Sequence, residues 1–128
     1  AALCIWGAPI EHPDAPAAAL AASRELHEQL GIVLGSVVDW GIGVSAGRAI
    51  AGHIGAQARF EYTVIGDPVN EAARLTDLAK SEEGRVLASA ICVSGAADDE
   101  AACWEVGEIV ELRGRIAPTQ LARPASTP

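Results

Sequence analysis

Two hydrophobic periods alternate along this chain, and each predicts a different kind of element. The first apolar run, ALCIWG, ends at Gly7 and Pro9 and reads as a short buried strand that opens a sheet. From His12–Asp14 to about Leu30 the period becomes helical. Asp14 is placed to cap this helix, Ala19, Ser23, Leu26 and Leu30 recur at helical spacing, and Gly31 follows its end. His27, beside Leu26, falls on the solvent side. Gly31 to Asp39 is apolar but carries Gly35 and Ser36, so it reads as a loop with a short strand or irregular segment.

WGIGVSAGRAIAGHIG sets glycines among β-branched residues, a pattern of strands that are bulged or closely approached by other backbone. Two adjacent strands are expected here, then a hairpin tip over Ala56–Arg59 and a return strand from Phe60 to Ile65. Glycines 41, 43 and 47 miss the G-x-G-x-x-G spacing and no helical pattern follows them at once, so a dinucleotide-binding turn is rejected. Gly66, Asp67 and Pro68 form a tight turn, with Asp67 as N-cap and Pro68 as the first residue of a helix reaching Lys80. Val69, Ala72, Leu75 and Ala79 make its apolar stripe. Asn70 and Arg74 share another face, about 6 Å apart along the axis. An amide and a guanidinium beside a turn suit an anionic ligand.

Further on, RVLASAICVSG reads as a strand followed by a loop, Asp98 to Cys103 as a short helix, and WEVGEIVELRGR with PTQLARP as a final strand pair. Neither internal repeats nor a break in composition divide the chain, so one domain is expected over residues 1–124, with a frayed tail at 125–128. The pattern predicts an α/β (α+β) fold in which helices cover one side of a mainly antiparallel sheet.

Composition narrows the partners. The chain has 128 residues, enough to bury roughly two thirds of its unfolded surface. Half of them are hydrophobic but only five are aromatic, so the core is expected to be built from Val, Ile, Leu and Ala. A formal charge of -8 argues against nucleic acid, whose phosphates need a Lys/Arg footprint. It does not argue against a nucleotide, which brings its own metal and needs only a few local cations. Cys4, Cys92 and Cys103 are widely spaced in apolar surroundings and read as buried structural thiols, with neither disulfide nor zinc framework. There is no signal peptide and no apolar run of the roughly 20 residues a bilayer span needs. A reducing cytosol is the simplest compartment, whether or not a longer parent chain is membrane-anchored.

Taken in order, CIWGAPIEHPD, GIGVSAGRAIAGHIG, FEYTVIGDPVNEAARLTDLAK and VELRGRIAPTQLARP resemble the catalytic domain of class III adenylyl and guanylyl cyclases, of bacterial type. In that family a strand ends in F-G-A-P, a Y-T-V-I-G-D turn leads into a V-N-x-A-A-R helix, and the closing strands carry L-[RK]-G-[RK]. The resemblance covers nearly the whole chain. It implies a ferredoxin-like sandwich of βαββαβ type and a reaction in which the ribose 3′-hydroxyl of ATP attacks its own α-phosphate, giving cyclic AMP and pyrophosphate. Two magnesium or manganese ions assist that reaction. The resemblance also implies a homodimer, with each site shared between two subunits.

Residue by residue, the resemblance gives Asn70 the role of orienting the ribose and Arg74 that of binding the phosphoryl group, for which a planar donor fork is suited. Thr63 falls at the base-reading position, compatible with adenine, and Val64 adds backbone contacts to the base edge. Arg113 or Arg115 matches the basic residue on the terminal phosphates, with Arg113 favoured. Each has a plainer alternative: an exposed ion pair of Arg74 with Asp77 or Glu71, a helix-start role for Asn70, a β-branched strand residue at 63, and solvated arginines at 113 and 115. Asp67 invites a metal-ligand reading but fits a cap better.

The family's two metal-binding aspartates and adenine-selecting lysine fall in segments that would precede Ala1, and none of Asp14, Asp39, Asp67, Asp77, Asp98 and Asp99 matches them. No metal ligand is therefore assigned, and the chain reads as an N-terminally truncated, C-terminal portion of an adenylyl cyclase domain, inactive alone. ATP is preferred to GTP only through Thr63. The alternative is a non-catalytic module that binds nucleotide or dimerises for a regulatory parent protein.

Overall fold

The computed structural model describes residues 1–35, 37–54 and 61–125. The elements follow in the order α1 (Ala15–Val33), β1 (Ile42–Val44), β2 (Ile50–Ile54), β3 (Glu61–Ile65), α2 (Asp67–Ala79), β4 (Val86–Ser89), α3 (Ala90–Ser94), α4 (Asp98–Ala101), β5 (Trp104–Val110) and β6 (Thr119–Pro124). Four strands form a sheet in the order β1-β4-β6-β5, and β2 pairs with β3 in a separate ribbon. Only β1 and β4 run parallel; β4–β6, β5–β6 and β2–β3 are antiparallel. This is the mixed α+β class, dominated by antiparallel pairing, that the hydrophobic pattern predicts.

The helices, however, lie on both faces of the four-stranded sheet rather than on one side. Successive strand residues point to opposite faces, and β4 is buried along its whole length. Its Val86 and Ala88 join Leu20 of α1, Val44, Trp104 and Ala122 in one apolar cluster. Leu87 joins Leu75 and Ala79 of α2, Leu112 and Leu121 in another. A strand reading VLAS, with no charged residue at alternate positions, is one covered on both sides.

Local chemistry explains most element boundaries. Asp14 caps α1 by accepting from the Ala17 nitrogen at 3.2 Å, and its second oxygen accepts from the Ala97 nitrogen at 3.1 Å, tying the start of α1 to that of α4. The buried face of α1 carries Leu20 and Ser23, whereas Leu26 is exposed and His27 packs its ring 5.7 Å from that of Trp40. Of the expected stripe Ser23 is buried and Ala19 and Leu30 are half-buried, but Leu20 rather than Leu26 supplies the buried leucine, and the helix continues through Gly31 to Val33. After β4 the loop expected from the sequence is the short helix α3, capped by Ser89, whose hydroxyl accepts from the Cys92 nitrogen. The expected hairpin tip over Ala56–Arg59 lies outside the described residues.

The ALCIWG segment does not form a strand. An apolar run becomes a strand only where a sheet edge supplies hydrogen-bond partners, and among the described residues no strand pairs with it. Leu3, Ile5 and Trp6 are exposed in consequence, as is Cys4. Cys92 is the buried thiol, and burial pushes its pKa up to about 12.

Candidate nucleotide site

Helix α2 is set on the sheet by glycine. A Cβ at Gly43 would lie 2.5 Å from the Thr76 nitrogen and 2.8 Å from the Leu75 Cβ, so any larger residue in β1 would push the helix away. At the other end, Gly66 joins β3 to α2 with φ 144° and ψ 179°, a conformation essentially confined to glycine. Gly66 is the helix N-cap, one position before the Asp67 cap expected from the sequence, and its carbonyl accepts from the nitrogens of Val69 and Asn70 at 3.1 and 3.2 Å. Asp67 makes no capping hydrogen bond, which leaves its carboxylate for another partner.

That partner comes from the connection between β5 and β6. Leu112 is buried against Leu75 and Ala79, Gly114 takes φ 84°, and the Arg115 nitrogen bonds back to the Leu112 carbonyl at 3.1 Å. Arg115 then turns into α2. Its Nε and Nη2 donate to the two Asp67 oxygens at 2.8 and 2.7 Å, and its Nη1 lies 2.6 Å from Glu71 Oε2 and also donates to Thr119 Oγ1. Thr119 donates to Glu71 Oε2 at 2.6 Å, and the Ser45 hydroxyl donates to Glu71 Oε1. The side chains of Arg115 and Glu71 are only 8% and 5% exposed. Hydrogen bonding from Arg115 holds the Asp67 carboxyl below its usual value, and Asp67 in turn raises Arg115 above the ordinary arginine value. Sequence reading missed this cluster. Its signal was an acidic pair four residues apart on α2 and a second arginine after Arg113.

Between α2 and this turn lies a cavity of about 300 Å³ lined by Asn70, Ala73, Arg74, Arg113 and Gly114. Three of the five residues singled out from the sequence meet there, although Arg74 and Arg113 are 39 positions apart. Arg74 Nε donates to the Arg113 carbonyl at 3.1 Å, which orients the guanidinium and, among the described residues, leaves both terminal nitrogens for a ligand. The plainer ion pairs proposed for Arg74 do not form: Asp77 lies 3.8 Å from Lys80, and Glu71 is taken by Arg115. Of the two arginines, Arg113 is exposed at the cavity while Arg115 is buried in its ion pairs.

Val64 is not among the lining residues. Val64 is buried in β3 opposite Ala51, and Thr63 stands opposite Gly52 in the same ribbon. A guanidinium pair and an amide, with no carboxylate in the lining, suit phosphate oxygens and a hydroxyl. They do not suit a divalent cation, and no group of three acidic, histidine or cysteine side chains that could hold one occurs among the described residues.

A mixed sheet flanked by helices, with a cationic cavity near the start of one of them, defines an α+β domain. Residues 19–121 match the family described as the adenylate and guanylate cyclase catalytic domain, and the chain belongs to that family. It is 51% identical over 124 residues to the uncharacterized protein Rv1318c of Mycobacterium tuberculosis and 50% identical over 124 residues to Rv1319c of the same organism. Each match covers 97% of this chain and 23% of the relative, so the chain spans less than a quarter of the length of these relatives. In fold it is similar to the adenylyl cyclase CyaB of P. aeruginosa, with TM-score 0.71 and 21% identity over 96% of this chain and 66% of that one. It is also similar to the guanylyl cyclase Cya2, with TM-score 0.63 and 23% identity over 91% and 61%. One neighbour is named for each base, so the shared fold does not choose between adenine and guanine. No helix among the described residues is long and apolar enough to cross a membrane.

Proposed function

We propose that this chain is part of an adenylyl cyclase catalytic domain that converts ATP to 3′,5′-cyclic AMP and pyrophosphate, working as a homodimer. The observation that carries the reading is the convergence of Asn70, Arg74 and Arg113 on one cavity from two distant stretches of sequence. In the reaction the 3′-hydroxyl loses its proton and attacks the α-phosphorus, and the bond to the bridging oxygen of pyrophosphate breaks. Asn70 orients the ribose through its amide. The terminal nitrogens of Arg74 meet the phosphoryl oxygens on which charge builds in the transition state. Arg113 holds the terminal phosphates, Thr63 reads the adenine amino group, and Val64 adds backbone contacts to the base.

Two divalent ions supply charge neutralisation and lower the pKa of the attacking hydroxyl in such reactions. Among the described residues the cavity offers them no ligand, and the roles argued for Asn70, Arg74 and Arg113 do not pass through them.

The test is Mn²⁺-dependent formation of cyclic AMP from ATP by an N-terminally extended protein, with Arg74→Ala of that protein and this chain alone as controls. Activity confined to the extended protein, and lost in Arg74→Ala, is the expected result. Cyclic GMP from GTP as the dominant product would replace the substrate. No product from any of the three would favour a non-catalytic nucleotide-binding or dimerisation module.

A further inference from the structure

Arg113 sits between two anchors of different chemistry. On one side Leu112 is buried in the apolar cluster with Leu75, Ala79 and Leu121. On the other, Arg115 grips Asp67 and Glu71 in the first turns of α2. Both anchors end on the helix that carries Asn70 and Arg74. Asp67, Glu71 and Arg74 follow one another at spacings of four and three, so they share one helix face. The turn at 112–115 is therefore fastened to that helix at three points: Leu112 on its apolar stripe, Arg115 at the helix start, and the Arg113 carbonyl on Arg74 Nε between them.

We infer that Arg115 is a positioning residue of the nucleotide site: its two-carboxylate grip on Asp67 and Glu71 sets the spacing between the Arg113 and Arg74 guanidinium groups so that both engage one polyphosphate. The inference rests on the reading of the cavity as the nucleotide site. An arginine suits this task because its planar fork holds Asp67 through two parallel hydrogen bonds while the remaining nitrogen reaches Glu71, a geometry a lysine ammonium cannot reproduce. Arg115 itself, buried and with its nitrogens committed to Asp67, Glu71, Thr119 and the Ala117 carbonyl, has no part in contacting the ligand.

The consequence is coupling. When two groups bind one anion at a fixed spacing, removing either weakens the other, and the double change costs less than the product of the singles. In the N-terminally extended protein, Arg74→Ala and Arg113→Ala, alone and together, give that coupling from kcat/KM for ATP. It is expected at about tenfold with Arg115 intact, and within about twofold of none after Arg115→Lys. Asp67→Asn gives a second background in which the buried Arg115–Glu71 pair persists, so the fold is retained. It is expected to reduce the coupling as well, with a melting temperature close to that of the parent protein. Undiminished coupling in both folded backgrounds would overturn the positioning role and leave Arg115 a structural residue. Unchanged turnover in Arg74→Ala with Arg115 intact would instead overturn the nucleotide-site reading, and this inference with it.

Discussion

A buried glutamate holds a helix to each face of the sheet, and the two arrangements are built differently. On the α1 face Glu100 accepts from Arg24 Nε and Nη2 at 2.8 and 2.5 Å and from the Trp104 indole at 2.8 Å. On the α2 face Glu71 accepts from Ser45 and Thr119 and pairs with Arg115. The Arg24 side chain is 36% exposed, so water reaches the cation of the first pair, whereas the cation of the second is 8% exposed. The first clasp closes the core beside α4, and none of the cavity-lining residues hydrogen-bonds to it. The second borders the cavity and fixes the turn bearing Arg113. One interaction type thus serves cohesion where a partner can rehydrate and registration where neither can, because a pair with both charges buried is expensive to break.

The sharpest way to separate the two is to delete each glutamate. Glu71→Ala leaves Arg115 buried with only the exposed Asp67 as counter-charge, and is expected to cost about 4 kcal/mol of unfolding free energy in urea titration. Glu100→Ala should cost about 2 kcal/mol, because Arg24 is partly solvated. ATP turnover per folded molecule in the extended protein should fall in the first variant and persist in the second. Equal costs, or equal losses of turnover, would dissolve the distinction.

Arg74→Ala should show the opposite profile from Glu100→Ala: kcat lowered about 10²-fold, as for loss of one preorganised donor, and stability within about 0.5 kcal/mol of the parent, since the side chain is exposed. Acid provides a milder probe. Burial pushes the Glu100 carboxyl upward, but hydrogen bonds from Arg24 and Trp104 outweigh it and hold the carboxyl below the ordinary 4.5. The folded state therefore binds fewer protons than the unfolded one in this range. The stability Glu100 contributes is complete above 4.5 and drains away as pH falls through its folded value. The pH dependence of the melting temperature below 4.5 should accordingly flatten in Glu100→Gln. Smallest of all, Lys80→Ala, which removes an exposed pair at 3.8 Å, should change stability by less than about 0.5 kcal/mol.

The fold was legible wherever local chemistry and burial agree. Asp14 ahead of Ala15 and Pro16 marks a helix start, Gly41 and Gly43 mark close approach of a helix backbone, and the VLAS and TQLARP runs are the strands β4 and β6. It was illegible where a partner decides. ALCIWG has the composition of a strand but meets no sheet edge among the described residues, and the single-face placement of helices missed that β4 is buried on both sides. In the site, Asn70 and Arg74 could be placed together from their spacing alone. Whether Arg113 or Arg115 joins them could not, because two arginines two positions apart in a turn look alike until φ at Gly114 and the carboxylates of α2 assign one to the cavity and the other to the helix.

The sequence by itself determined the helix periods, the turn that only Gly66 can make, and the motif order that places the chain in the cyclase catalytic family, since each depends on residues near in the chain or on the motifs themselves. Tertiary structure alone decided that Asp67 pairs with Arg115 instead of capping its helix, that α1 and α2 take opposite faces, and that Arg74 and Arg113 share a cavity. Those outcomes depend on contacts between segments many residues apart. The free energy of such a contact belongs to neither segment until both are packed on the same sheet.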